Sequence, residues 1–371
     1  MQQSIKAQNV FTGEQHLQYQ ELIIENGRVQ SILPIIKEAD FEVWGISPAF
    51  FDTHINGGEY LYFTQYPTEA TLKDMDEACQ KYGTGYLLPC LITSSMENIL
   101  EGIETIRAYK EANPTSGIVG MHLEGPFLNP LKRGAHLARY IRTPNDEELA
   151  TIIHHGKGVI KLMTIAPELF SEAQIQMLLD SGITISAGHS NATHQEAEKA
   201  FQQGIPLVTH LFNAMSAMGH REAGLVGATL ANDNVYAPII LDGFHCDYTA
   251  AKVAYKAKKD KLFLISDALF LGNQVKHFQW EEFDATLSEG QYRNSEGNLA
   301  GAAISLGDAV KNAINHLGIS LQEAIEMATI RPAKAVNMDS HLGKIAPNYP
   351  ASFTVFDEEL NFSCLKVSLC L

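Results

Sequence analysis

Five short apolar runs, lying between Phe50 and Asp267, each end in a side chain that binds metal ions or moves protons. They are Phe50-Phe51-Asp52-Thr53-His54, Ile118 to Glu124, Ile183 to His189, Pro206 to His210 and Leu262 to Asp267. An apolar run of this length, bounded by turn signals such as Gly125-Pro126, reads as a buried strand. A carboxylate or imidazole at the last position is poorly placed for packing and well placed to hold a cation beyond the sheet edge. One such run constrains little. A series of them calls for a fold in which many strands finish at one shared edge.

The segments between the runs carry helix start signals. Ser94 with Glu97, and Thr193 with Glu196, read as capping boxes, and Thr143-Pro144 as a cap followed by proline at the first helical position. Ser320 and Glu323 open a helix containing Ile325 and Ala328. Apolar runs recur near residues 48–54, 86–92, 118–124, 159–166, 183–189, 206–210, 236–242 and 262–267. Alternating strands and helices in this number predict an α/β fold closed as a (β/α)8 TIM-like barrel, with its active site at the C-terminal strand ends.

The two ends of the chain differ. Glu21 to Glu25, the turn Asn26-Gly27 and Arg28 to Ile32 form a hairpin signature, and 342–347 and 351–357 return to strand-like patterns. The expected organisation is a small β-sandwich made from 1–48 with 340–371, beside a catalytic barrel over 49–339. The stretch 271–300, with Gly272, Gly290 and Gly297, reads either as a plain surface excursion with some hairpin or as a flap over the site.

The net charge of -16 argues against nucleic acid and anionic membranes as partners, yet a local basic pocket can still take a small anionic substrate. The five cysteines are odd in number and scattered, which suits neither a disulfide framework nor a zinc finger. The N-terminus lacks the apolar core of a signal peptide, and no apolar run reaches the ~18 residues of a membrane helix. A cytoplasmic protein is expected.

Glu124, His189 and His210 offer one carboxylate and two imidazoles. That set suits a divalent cation that keeps three protein ligands and an open position for water. Zinc comes first, with iron, manganese, cobalt or nickel as alternatives, one ion per subunit. His54 and Asn56 point the same way in a strand, so His54 is a candidate ligand for a second ion, although Asn56 is a weak one. Asp267 is placed to take a proton from an activated water and return it to a leaving group; otherwise it is an N-cap before Ala268. His136, in the loop after the Glu124 strand, is a candidate to polarise a carbonyl, and Arg221 with His245 to clamp a phosphate or carboxylate. His154 and His155 read as surface residues.

These residues sit in recognisable blocks: His122-Leu123-Glu124-Gly125-Pro126-Phe127, Gly134-Ala135-His136, Ala187-Gly188-His189-Ser190 and Thr209-His210-Leu211-Phe212-Asn213-Ala214-Met215. Arg221-Glu222-Ala223-Gly224, Asp242-Gly243-Phe244-His245, Ser266-Asp267-Ala268 and Leu299-Ala300-Gly301 follow in order. The set resembles the amidohydrolase superfamily, and within it the N-acetylglucosamine-6-phosphate deacetylases. The resemblance implies a metal-dependent barrel that removes acetate from a phosphorylated N-acetyl amino sugar. It implies Glu124, His189 and His210 as metal ligands, Asp267 as general acid/base and His136 as a carbonyl donor. Asn213 and Ala214, with Arg221, His245 and Ala300, are implied at the sugar phosphate, and a homodimer is implied because the phosphate pocket borrows from a neighbouring subunit. Two departures stand out: His54-Ile55-Asn56 in place of His-x-His, and Leu269-Phe270-Leu271-Gly272 where relatives carry a Pro/Gly segment. The alternatives are an N-acetylgalactosamine-6-phosphate deacetylase, another hydrolase of N-acyl or cyclic amides, or a non-catalytic barrel used for assembly.

Overall fold

The computed structural model describes residues 2–35 and 42–367. Strands β1 (Gln2–Phe11) and β2 (His16–Glu25) pair antiparallel, and Asn26-Gly27 turns the chain into β3 (Arg28–Pro34). Asn26 and Gly27 take φ of 52° and 68°, as a two-residue hairpin of this hand requires. β4 (Val43–Pro48) then runs parallel to β1 and leads into the barrel.

Eight strands follow: β5 (Phe50–Ile55), β6 (Thr84–Ile92), β7 (Met121–Glu124), β8 (Ile160–Ile165), β9 (Thr184–Ala187), β10 (Leu207–Val208), β11 (Ala237–Ile240) and β12 (Leu262–Ile265). β5 to β10 pair in sequence order and β11 pairs with β12, all parallel. Two joints close the ring. Leu207 bridges Tyr236 between β10 and β11, and the Asp267 N–H donates to the His54 carbonyl at 2.9 Å between β12 and β5. Every residue of β5, β7, β9, β11 and β12 is buried, because helices cover one face and side chains fill the interior. That double burial is why the runs read as continuously apolar.

The crossover helices are α1 (Glu69–Lys81), α2 (Met96–Ala112), α3 (Asp146–Gly156), α4 (Glu172–Asp180), α5 (His194–Gln203), α6 (Gly224–Ala231) and α7 (Tyr248–Lys258). After β12 come α8 (Leu306–Asn312), α9 (Leu321–Ala328) and α10 (Ile330–Ala335). Thr193 and Glu196 form the expected capping box, and the Ser320 side chain accepts from the Glu323 N–H. Two expected caps shift. Ser95, not Ser94, caps α2, while Ser94 Oγ accepts from Asn98 Nδ2; Asn145, not Thr143, caps α3. In each case the side chain nearer the first turn reaches its free N–H.

The excursion after β12 forms an antiparallel sheet of β13 (His277–Trp280), β14 (Phe283–Ser288) and β15 (Gln291–Arg293). It packs on Tyr62 and Phe270, with the Tyr62 and Phe283 rings 5.9 Å apart and nearly parallel. Arg133 to Glu296 at 2.8 Å and Arg139 to Glu282 at 3.0 Å tie it to the loop after β7.

The chain ends in β16 (Ser352–Phe356) and β17 (Phe362–Lys366). These join the first strands in one six-stranded sheet of order β17-β16-β4-β1-β2-β3. Its core is Ile5, Ala7, Val10, Leu22, Ile24, Ile46 and Phe353, and burying a side chain such as Phe353 contributes roughly 1.5–3 kcal/mol. The segment 342–347, expected as strand, is a loop pinned by the Ile345 N–H to the Thr12 carbonyl. Cys79, Cys90, Cys246 and Cys364 are free thiols, and Cys370 lies outside the described residues. Among the described residues no helix is long and apolar enough to cross a membrane.

Candidate metal centre and its cleft

Glu124 is the last residue of β7, and four imidazoles crowd its carboxylate. Oε1 lies 3.1 Å from His210 Nε2 and 3.2 Å from His189 Nε2, and those two nitrogens are 3.1 Å apart. Oε2 lies 3.4 Å from His54 Nε2 and 3.5 Å from His136 Nε2. All five residues are at least 95% buried. Burial alone would raise the Glu124 carboxyl, but the surrounding histidines outweigh it and hold it well below the ordinary carboxylate range.

The His189 tautomer follows from its neighbour. Nδ1 lies 2.8 Å from the Lys132 carbonyl, which can only accept, so Nδ1 carries a proton and Nε2 is the nitrogen turned to the carboxylate. Burial holds His210 below the usual imidazole range, and its Nδ1 has no hydrogen-bond partner. Two ring nitrogens and a carboxylate oxygen thus meet in a triangle with 3.1–3.2 Å sides. Ligands of a tetrahedral zinc site with 2.0–2.1 Å bonds stand about 3.3–3.4 Å apart, so the triangle needs little adjustment to hold such an ion. The donor set fits a divalent cation.

The backbone aims these side chains. His189, His210 and Asp267 take φ of 47°, 32° and 48°, a left-handed conformation that non-glycine residues rarely hold. Each costs on the order of 1–3 kcal/mol, and such residues concentrate at functional sites. Here the chain turns sharply out of the barrel at the residue whose side chain points inward. Beneath them, hydroxyls fill the barrel: Thr164 Oγ1 lies 2.7 Å from Thr209 Oγ1 and 2.8 Å from His122 Nε2.

Asp267 faces the triangle from the closing seam. Its Oδ1 accepts from Asn56 Nδ2 at 2.8 Å and lies 3.2 Å from His54 Nε2. Positions 54 and 56 therefore do point the same way, both to this carboxylate. Burial would lower the His54 imidazole, but Asp267 and Glu124 raise it well above its usual range. His136 Nδ1 sits 2.9 Å from Thr93 Oγ1. Above these groups opens a cleft of about 380 Å³, lined also by Asn213, Ala214, His245 and Ala300.

A sequence model of the amidohydrolase family matches residues 46–368. The chain belongs to the amidohydrolase family. It is 36% identical over 312 residues to the N-acetylgalactosamine-6-phosphate deacetylase of Shewanella sp. (strain ANA-3), covering 84% of this chain and 78% of that one. It is 33% identical over 345 residues to the N-acetylglucosamine-6-phosphate deacetylase of Haemophilus influenzae, covering 90% of each. The crystal structure of N-acetylglucosamine-6-phosphate deacetylase from Pasteurella multocida superposes with a TM-score of 0.89 at 32% identity, over 97% of each chain.

Nearly all the residues singled out in the sequence meet in this amidohydrolase. Glu124, His136, His189, His210 and Asp267 line the cleft together with Asn213, Ala214, His245 and Ala300, and His54 lies just beneath. Arg221 stands apart. It is exposed on the loop before α6, where Glu222 fixes the turn by accepting from the His194 and Gly224 N–H groups at 2.8 and 3.0 Å.

Other participants went unread. Thr93 anchors His136, and Cys90 Sγ lies 3.8 Å from Glu124 Oε2. Asp242 Oδ2 lies 2.7 Å from His245 Nδ1, a pairing the Asp-Gly-Phe-His spacing was able to suggest. Burial raises and His245 lowers the Asp242 carboxyl, with a net downward shift. Asn298, Leu299 and Phe283 reach the cleft from the excursion, which therefore covers the site as a flap does.

Proposed function

We propose that this amidohydrolase removes the acetyl group of an N-acetylhexosamine 6-phosphate, with N-acetylglucosamine 6-phosphate the first substrate to test. The observation that carries the reading is the Glu124–His189–His210 triangle with Asp267 and His136 beside it in one cleft. The Shewanella and Haemophilus relatives support the substrate class, and because they are named for different epimers, the galactosamine compound is the second reading.

Glu124, His189 and His210 would hold one divalent cation. Bound there, such an ion supplies Lewis-acid chemistry, polarising a carbonyl and acidifying a coordinated water. Both contacts on Asp267 fall on Oδ1, so Oδ2 is the oxygen left to accept a proton and later deliver it to the departing amine. His136, held at Nδ1 by Thr93, presents Nε2 beside the Glu124 carboxylate, where it would meet the amide oxygen. Asp242 holds the His245 ring by Nδ1, leaving Nε2 as the ring nitrogen to meet the phosphate. Arg221, outside its own subunit's cleft, supports the expected homodimer, in which Arg221 of the partner subunit completes the phosphate contact.

The test is amine release from N-acetylglucosamine 6-phosphate, its galactosamine epimer, unphosphorylated N-acetylglucosamine and an N-acetyl amino acid, with and without chelator. Turnover confined to a phosphorylated sugar and abolished by chelation supports the reading. Turnover of the amino acid alone, or none in metal-replete protein, overturns it.

A further inference from the structure

The barrel's other end holds a second cavity, of about 570 Å³, between the starts of its strands and the terminal sheet. Its walls include Arg28, Lys110, Lys161, His341 and Lys366, and no acidic residue. In a chain of net charge -16 this concentration of cations is unexpected. Among the described residues only Lys366 of these has an acidic partner, Asp76 at 3.5 Å. Lys110 is spent on the Val119 carbonyl at 2.8 Å, and burial, with Lys161 beside it, holds its amine below the usual lysine range. Two lysines that line one cavity with no carboxylate among its walls repel, and an anion relieves that repulsion.

We propose that this cavity is a second ligand site for a small metabolite carrying two or more phosphoryl groups. Size and chemistry support the assignment. The volume falls within the ~300–1,000 Å³ of small-molecule sites. The cations come from separate elements, Arg28 from β3, Lys110 from α2, Lys161 from β8 and Lys366 from β17, which suits phosphoryl groups at separated positions. Tyr86, Ile118 and Leu342 give the site apolar wall for a carbon skeleton. A ligand there touches the starts of β6 and β8 and the approach to β7, strands that run on to the metal centre. The site is independent of the deacetylase reading.

Calorimetric titration of the full chain tests this, with fructose 1,6-bisphosphate as probe and inorganic phosphate as the anion without a carbon skeleton. The expected result is one bisphosphate per chain, with phosphate weaker. Lys161→Gln and Arg28→Gln, both remote from the metal centre, should each weaken the bisphosphate about tenfold or more, as loss of a charged hydrogen bond does. Each variant's melting temperature shows whether it is folded, and either one suffices. No binding of either probe at millimolar concentration overturns the proposal. So does binding that a folded variant leaves unchanged, since the probe would then sit elsewhere.

Discussion

The Asp267 N–H donates to the His54 carbonyl at 2.9 Å, so one of the bonds that close the barrel joins a candidate acid/base to the residue whose imidazole lies beside it. The His54 ring returns to the same aspartate, with Nε2 3.2 Å from Oδ1. Backbone and side chain hold one pair, and the position of Asp267 over the Glu124–His189–His210 triangle depends on the seam being shut.

Asp267→Asn should lower turnover by about 10²–10⁴-fold, the range for losing a positioned proton carrier. Asparagine keeps the Oδ1 that accepts from Asn56, so the seam and the metal content should survive. Steady-state kinetics with elemental analysis checks this, and turnover near that of the parent protein would remove Asp267 from the mechanism.

Chelation should lower the melting temperature, and zinc should restore it. An ion that binds only the folded chain stabilises it by mass action, about 4 kcal/mol at a thousandfold excess over Kd. His210→Ala takes one corner from the triangle and should flatten the response. Identical melting curves with and without chelator would mean that no ion resides there.

Arg221→Ala should raise KM for the phosphorylated sugar far more than for its unphosphorylated form. If the partner subunit's Arg221 does the work, mixing Arg221→Ala with Asp267→Asn subunits should recover activity, because a mixed dimer contains one site with both residues. No recovery on mixing would place Arg221 outside the phosphate contact.

Asp52 offers a test by pH. Its Oδ1 accepts from the His54 and Ser266 N–H groups at 3.1 and 3.3 Å, and burial raises its carboxyl to about 6 from an ordinary 3.8. A raised carboxyl costs the fold nothing while protonated. The cost grows as pH rises from about 4 through 6, to on the order of 2–3 kcal/mol. Asp52→Asn retains the accepting oxygen without the charge. The variant should melt above the parent at pH 8, with the gap closing toward pH 4; a gap independent of pH would contradict the assignment.

The barrel was legible because its strands are buried on both faces, leaving mostly apolar runs that finish in a reactive side chain, as at Glu124, His210 and Asp267. The capping box of Thr193 and Glu196 was legible too, since Thr193 has no second hydroxyl beside it to compete for the cap. Where two polar residues compete for one cap, as Ser94 and Ser95 do, the winner depends on the chain's approach to the helix, and Asn98 decides it through tertiary bonds. Thr93 and Cys90 gave no signal, because a hydroxyl or thiol at the end of an apolar strand looks like packing until His136 and Glu124 are brought against it. Arg221 illustrates another limit: a motif in the right order does not bring its side chain to the cleft, and this one is exposed on the loop before α6.

The left-handed backbone at His189, His210 and Asp267 implies a conflict between durability and purpose. Glycine would rest comfortably at all three positions, so a library screened for thermal endurance alone should drift toward it there. The winners of such a screen would be sturdier barrels stripped of two corners of the triangle around Glu124 and of the candidate proton carrier.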